Sequence, residues 1–412
     1  MFRAIVPAFA LLALPFVAHA KTLEDVLVEK GVITKAEAAG AAAGSAAKVY
    51  WNNGTRFEFP DSGFTSAVTT YLQERYTFTD ADEGAGRKNT SSFEQNNARV
   101  IISGTALHNE FTYRLEGDFV GYKGTDGTRA PYLRDAYIVW NAMPGVSFQL
   151  GQYKTFVSRQ FVTASHTIQL PDEALASRAF GLSYQNGLSA KFTTEDKVFM
   201  LRAGIFNGES SGEGQNKGGV DLRHSGMVTA RLNAVGQIDP YEETDVNYTE
   251  DFALSFGATY AASWARKTFD AEIGLEDAER HTINVDAIMK YQGFSLAGEF
   301  YWADVDADSF ASSANPLGFY VQTGYFFIPK KFEIAARYSY VDCDDGLGCV
   351  GGLGSAIAGT DKAHEVGAVL NYYFWKHNLK AALAWLRLNE EYPGDTDDVN
   401  TNKWIFQVTS YF

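Results

Sequence analysis

The sequence predicts an all-β chain: a transmembrane antiparallel β-barrel of sixteen strands with a short N-terminal periplasmic helix. Three observations predict it. The N-terminus has the form of an export signal, segment after segment alternates apolar and polar residues, and the connections alternate between tight and long.

Arg3 supplies a positive start, Ile5 to Val17 is apolar, and Ala18-His19-Ala20 fits a small-x-small cleavage site. Pro7 and Pro15 interrupt a stretch that is already short for a membrane helix; an uncleaved anchor is the alternative reading. The expected division is a signal peptide at 1–20, a periplasmic helical segment and linker at 21–47, and an outer-membrane barrel at 48–412. Leu23, Val26, Leu27, Val32 and Ile33 give the second segment its helical spacing, and Gly40 to Ala47 reads as linker.

No other apolar run reaches the length of about 18 residues that a spanning helix needs. The chain nevertheless carries 30 Phe, 22 Tyr and 38 Gly. Lipid-facing apolar residues alternating with water-facing polar ones account for a mean hydropathy of −0.19. Secreted sandwiches and propellers average similarly, so order along the chain has to decide.

Candidate strands fall at 64–80, 94–107, 109–123, 129–141, 145–156, 179–187, 197–207, 223–234, 251–264, 281–291, 294–305, 317–327, 332–342, 363–374, 378–390 and 403–412. In one of them Ile283, Val285, Ala287, Met289 and Tyr291 share a face opposite Asn284, Asp286 and Lys290. Tight links at His108, Asn141–Pro144, Gln292-Gly293, Ile328–Lys331 and Trp375–His377 alternate with long polar ones. Short periplasmic turns and long outer loops keep this parity in a barrel, whereas a sandwich has no reason to. Two links depart from it: 188–196 is middling, and 235–250 is long for a periplasmic turn. The chain ends on Phe412, with Val408, Phe406 and Trp404 on the same face.

Several short motifs are similar to one porin family. They are Leu133-Arg134-Asp135-Ala136-Tyr137-Ile138, Gly151-Gln152-Tyr153-Lys154-Thr155-Phe156 with Ser158-Arg159, and Ala203-Gly204-Ile205-Phe206-Asn207-Gly208. Leu232-Asn233-Ala234 before a link containing Pro240 is a fourth. From about residue 49 onward the chain resembles the phosphate-selective porin O/P family. The resemblance implies a homotrimeric, sixteen-stranded porin whose third outer loop, 157–178, folds into the lumen. That segment has no glycine, which suits a loop of fixed shape; an ordinary surface loop is the alternative.

Charges lining a constriction set pore selectivity. On the polar faces, Arg75, Arg99, Arg114, Arg202, Arg231, Lys290 and Arg337 are the expected inward bases, and Glu116, Asp118, Asp286, Glu299, Glu333 and Glu365 the inward acids. This mixture predicts a transverse field rather than a uniformly basic bore. Arg99, Arg114, Arg134, Lys154 and Arg159 are the candidates for a dehydrated phosphate site, although the strands of Arg134 and Lys154 carry charge on both faces and leave their phase open. Some of these arginines could equally be solvated or bind lipopolysaccharide phosphates.

Cys343 and Cys349 suggest one loop-closing disulfide. Neither a metal site nor a cofactor is expected, and a net charge of −15 argues against nucleic acid. The expected partners are outer-membrane lipid, lipopolysaccharide, small hydrophilic solutes or anions, and further copies of the chain. Scattered histidines without a G-x-S-x-G or H-E-x-x-H motif argue against an enzyme. The expected function is passive diffusion across a Gram-negative outer membrane with modest anion preference. A phosphate- or polyphosphate-selective channel and a non-conducting structural or adhesive barrel are the alternatives.

Overall fold

The computed structural model describes residues 27–32, 34–35, 47–81, 88–123, 129–208, 221–222, 224–266, 279–306, 313–344, 360–394 and 398–412. The proposed signal segment, the linker and most of the long outer loops lie outside these residues, as does Cys349. Residues 27–29 are helical.

Sixteen strands close the barrel. They are β1 (Phe64–Ala81), β2 (Thr90–Ala106), β3 (Phe111–Lys123), β4 (Arg129–Met143), β5 (Val146–Lys154), β6 (Tyr184–Thr193), β7 (Phe199–Phe206), β8 (Ser225–Val235), β9 (Ala253–Arg266), β10 (Glu279–Tyr291), β11 (Phe294–Asp306), β12 (Leu317–Ile328), β13 (Phe332–Asp342), β14 (Lys362–Trp375), β15 (Leu379–Glu391) and β16 (Val399–Tyr411). Each pairs antiparallel with its neighbours in sequence, and β16 closes on β1 from Thr401↔Ala81 to Tyr411↔Tyr71. Phe412 locks the seam: its amide donates to Thr70 O at 2.9 Å, and its carbonyl accepts from Thr70 N at 2.6 Å. A hairpin of Lys48–Trp51 and Thr55–Phe59 extends the sheet beside the first residues of β1.

Period two governs burial along most of the wall. On β1, Thr69, Tyr71, Gln73 and Arg75 point inward and are buried, while Val68 and Leu72 are exposed on the outer wall. The tight links use backbone shapes that twisted hairpins favour: Gln292 and Gly293 both have positive φ, 46° and 85°, as a two-residue hairpin requires.

The structure corrects the sequence reading at one place and explains it at another. The sixth strand runs 184–193 rather than 179–187, because a helix (Leu175–Phe180) extends the preceding loop. Its link to β7 is therefore the short turn 194–198, and the parity of turns is restored there. The 236–252 link is long for another reason: it folds into the barrel from the short-turn end. Glu243, Thr244, Asp245 and Val246 are all buried. The Asp245 carboxylate holds the link's return to the wall, accepting from Thr249 N and from Gly293 N at 2.7 Å.

Candidate functional site

The third outer loop, residues 155–183, crosses the lumen. It carries two short helices, α1 (Arg159–Val162) and α2 (Leu175–Phe180). Packing holds it first. Phe180 stacks on Tyr301 of β11 at 5.2 Å, and Leu170 joins a cluster with Ala335, Val369, Ala382 and Ile405. The wall is shaped to receive these side chains. A Cβ on inward-facing Gly318 would lie 2.8 Å from the Phe180 ring, and one on Gly367 would lie 2.8 Å from Leu170; one on Gly324 would overlap the Gln169 amide. Small wall residues thus set how closely the loop lies against β12 and β14.

Polar clamps add direction. Glu299 on β11 accepts from the first amides of α1, Arg159 N at 3.0 Å and Gln160 N at 2.7 Å, and from the Tyr301 and Tyr320 hydroxyls at 2.8 Å. Arg159 donates to Tyr320 Oη at 2.6 Å and to Pro240 O at 3.1 Å, with Glu243, Glu299 and Asp286 carboxylates 3.6–3.8 Å away. Glu243, from the inward-folded 236–252 link, accepts from the Gln160 side chain, Gln169 N and the Gln322 side chain at 2.8–2.9 Å. Loop and link therefore meet inside the barrel on shared carboxylates. Further round, Arg337 donates to Asp172 O and Glu365, Lys380 to Ile168 O, and Arg75 to the Asp172 carboxylate at 2.9 Å. Burial pushes the Asp172 carboxyl up, but Arg75 and Arg178 beside it hold it below the ordinary value.

The wall from β2 to β4 carries a different arrangement. Arg99 donates to Glu116 at 2.9 Å and Asp118 at 3.1 Å, Arg114 to Glu116 at 2.5 Å and Asp135 at 2.9 Å, and Arg134 to Asp118 at 2.8 Å. Three guanidinium groups and three carboxylates alternate in one ladder. The open phase of Arg134 has a structural cause. Leu115 faces Ala136 while Gly117 faces Leu133, so β4 carries an extra residue and Arg134 and Asp135 both turn inward. Lys154 sits at the end of β5 and donates to the loop carbonyls of Phe161 and Thr163 at 2.6 and 3.1 Å.

The candidates thus fall into separate groups. Arg75 is tied to the loop; Arg99, Arg114, Glu116, Asp118 and Arg134 form the ladder; Lys154 braces the loop from below. Arg159, at 2% exposure, is sealed between loop, link and wall. Arg231 pairs with Asp286 at 2.7 Å, and Arg202 rests on Ser189 and Gln149 without a carboxylate among the described residues. Cys343 is buried and disulfide-bonded. Sequence reasoning missed the inward-folded link and the glycine niches; the excess length of 235–250 was the one available signal for the first.

The comparisons agree with this architecture. The family model for phosphate-selective porin O and P matches residues 68–409. The chain belongs to that family. Among solved structures, the outer membrane channel DcaP of Acinetobacter baumannii superposes with a TM-score of 0.60 at 12% identity, covering 85% of this chain and 98% of that one. The anion-selective porin from Comamonas acidovorans gives 0.56 at 12% identity, covering 84% and 99%. The trimer form of OmpT, an outer membrane protein of Vibrio cholerae, gives 0.54 at 12% identity, covering 84% and 99%. At these identities the likeness is one of fold. No curated protein matches the chain in sequence. Family and barrel make this porin a passive-diffusion channel of the outer membrane.

Proposed function

We propose that this porin passes small hydrophilic solutes and ions through an eyelet bounded by the inward loop and the β2–β4 ladder, with at most a modest preference for anions. The observation that carries the reading is the pairing of Arg99, Arg114 and Arg134 with Glu116, Asp118 and Asp135. A dehydrated phosphate site needs several uncompensated guanidinium groups turned on one point. Here each already faces a carboxylate, so the ladder offers alternating charge and a field across the pore. Its outer arginines are partly exposed, Arg114 at 27% and Arg134 at 20%, while Arg99, Glu116 and Asp118 behind them are buried.

The same reading takes 1–20 as a cleaved signal peptide, places lipid and lipopolysaccharide around the outer wall, and expects a homotrimer. The trimer form of the Vibrio cholerae relative supports the last point. Channel chemistry requires no catalytic group, and the family and fold favour a channel over an enzyme.

Single-channel conductance in a planar bilayer, with reversal potential under a salt gradient, tests the proposal. Openings in steps of three with a small reversal potential are expected. A strongly anionic reversal potential, with chloride current blocked by inorganic phosphate, would replace general diffusion by phosphate selectivity. Absence of current in correctly folded protein would favour a structural barrel.

A further inference from the structure

We infer that the short-turn end of the lumen holds a second binding site, suited to organic carboxylates with an apolar body and organised by Arg202 and Lys191. The inference rests on the channel reading only in supposing that solutes reach this end of the lumen.

The site is a cavity of about 1180 Å³, lined by the tight turn 141–146, the link residues 237–241 and the inward faces of β6 to β8. Drug-sized ligands occupy pockets of about 300–1,000 Å³, so the space is ample for a small organic acid. Charge distribution separates it from the rest of the lumen. Arg75, Arg99, Arg114, Arg134, Arg159, Arg231 and Arg337 each reach a carboxylate. Arg202 does not. Its guanidinium donates to Ser189 Oγ and Gln149 Oε1, and its flat face lies over Phe156 at 4.5 Å and Tyr153 at 5.2 Å.

Lys191 is the register partner of Arg202 across β6 and β7, so two cations stand directly opposite on one inward face. Like charges so placed repel, and a bound anion between them would relieve that cost. The carboxylate that the link contributes to the lining, Asp239, is engaged by Tyr241 N at 2.9 Å.

Chemical class follows from the remaining lining. Phe156, Val162, Ile238 and Pro240 bring apolar surface into the same cavity. An inorganic oxyanion would satisfy the two cations but leave that surface wet. A carboxylate joined to a ring or short hydrocarbon satisfies both, the guanidinium binding the carboxylate and the apolar groups burying the body.

The test is calorimetric titration of the full folded protein in detergent with benzoate, acetate and inorganic phosphate, alongside single-channel records with the same anions added. Benzoate is expected to bind, with acetate and phosphate weaker. Arg202→Gln should weaken benzoate about tenfold or more, as loss of a charged hydrogen bond implies. Lys191→Gln, at an exposed position, gives the same test should the arginine variant fail to fold. Equal affinity for all three anions, tighter binding of phosphate, no benzoate binding, or unchanged affinity in a folded variant would each overturn the inference. An open channel that binds no benzoate defeats this site alone; binding without current defeats the channel reading alone.

Discussion

Arg114 on β3 and Arg159 on the inward loop are both held by carboxylates, yet one remains in reach of water and the other does not. The Arg114 side chain is 27% exposed and faces Glu116 and Asp135 across the eyelet wall. Arg159 is enclosed with Glu243, Glu299 and Asp286, and its hydrogen bonds join the loop to Tyr320 on β12 and Pro240 of the link. The same residue type thus shapes a field at one place and fastens a loop at the other. The difference is in what removing the arginine leaves behind. At the ladder Glu116 keeps Arg99 as its partner and Asp135 reaches water, whereas in the clamp Glu243 and Glu299 are left fully enclosed.

Substitution should show that difference most strongly in stability. Arg159→Met leaves carboxylates buried without their cation and is expected to cost about 3–5 kcal/mol. Arg114→Met should cost about 1 kcal/mol. Urea unfolding in detergent, followed by tryptophan fluorescence, measures both. Equal costs would erase the distinction between the two settings.

The glycine niches test the clamp from its other side. Gly324→Leu forces the new side chain into the space of the Gln169 amide, and Gly318→Leu forces it against Phe180. Overpacking of this kind costs about 1–3 kcal/mol. Because the strain falls between loop and wall, the loop should leave its seat and the pore widen. A larger and noisier single-channel conductance is expected; unchanged conductance in a stable variant would mean that the loop's seat does not set the bore.

The ladder should respond in selectivity rather than in stability. Glu116→Gln releases both Arg99 and Arg114 from one shared carboxylate. One charge removed about 4 Å from a passing ion in a wet pore is worth about 1 kcal/mol, roughly fivefold in permeability ratio toward chloride. Reversal potential under a salt gradient reads this directly. A shift of that size in Glu299→Gln, whose carboxylate is enclosed in the clamp, would count against the ladder as the eyelet wall.

These contrasts also mark how far the sequence could be read. Alternation along β10 was legible because a barrel wall has one wet and one lipid-facing side, and period two follows from that alone. The terminal Phe412 and the parity of the links were legible for the same reason. Arg134 was not, since a single extra residue in β4 reverses phase without a signature in hydrophobicity. Nor was the division between Arg114 and Arg159: both sit beside aromatic residues in sequence, and what separates them is a link some eighty positions away that enters from the opposite end. Gly318, Gly324 and Gly367 read as ordinary strand glycines until their neighbour across the lumen is known.

The most local expected effect lies where that link meets the barrel floor. His377 Nε2 lies 3.2 Å from Glu242, with Lys290 3.5 Å away from the same carboxylate. Burial lowers the His377 pKa, outweighing the raising effect of Glu242, and Lys380 and Lys290 add to the lowering. Burial pushes the Glu242 carboxyl up, but His377 and Lys290 bring it below its ordinary value. The folded protein therefore keeps His377 neutral below about pH 6.5, where the unfolded chain takes up a proton. Its contribution is complete above that pH and drains as pH falls toward the lowered value, by at most about 1.4 kcal/mol per pH unit. The Glu242 contribution is lost only below its ordinary carboxylate range, so between pH 7 and 5 the histidine acts first. His166, against Tyr71 and Tyr411 in the loop, is shifted well below its ordinary value by burial, so global unfolding would mix the two. Amide exchange in the 236–252 link separates them: protection should fall between pH 7 and 5 after correction for intrinsic exchange, and His377→Gln should flatten that fall. A link whose protection is indifferent to pH in the wild-type protein would show that Glu242 and His377 do not hold it in place.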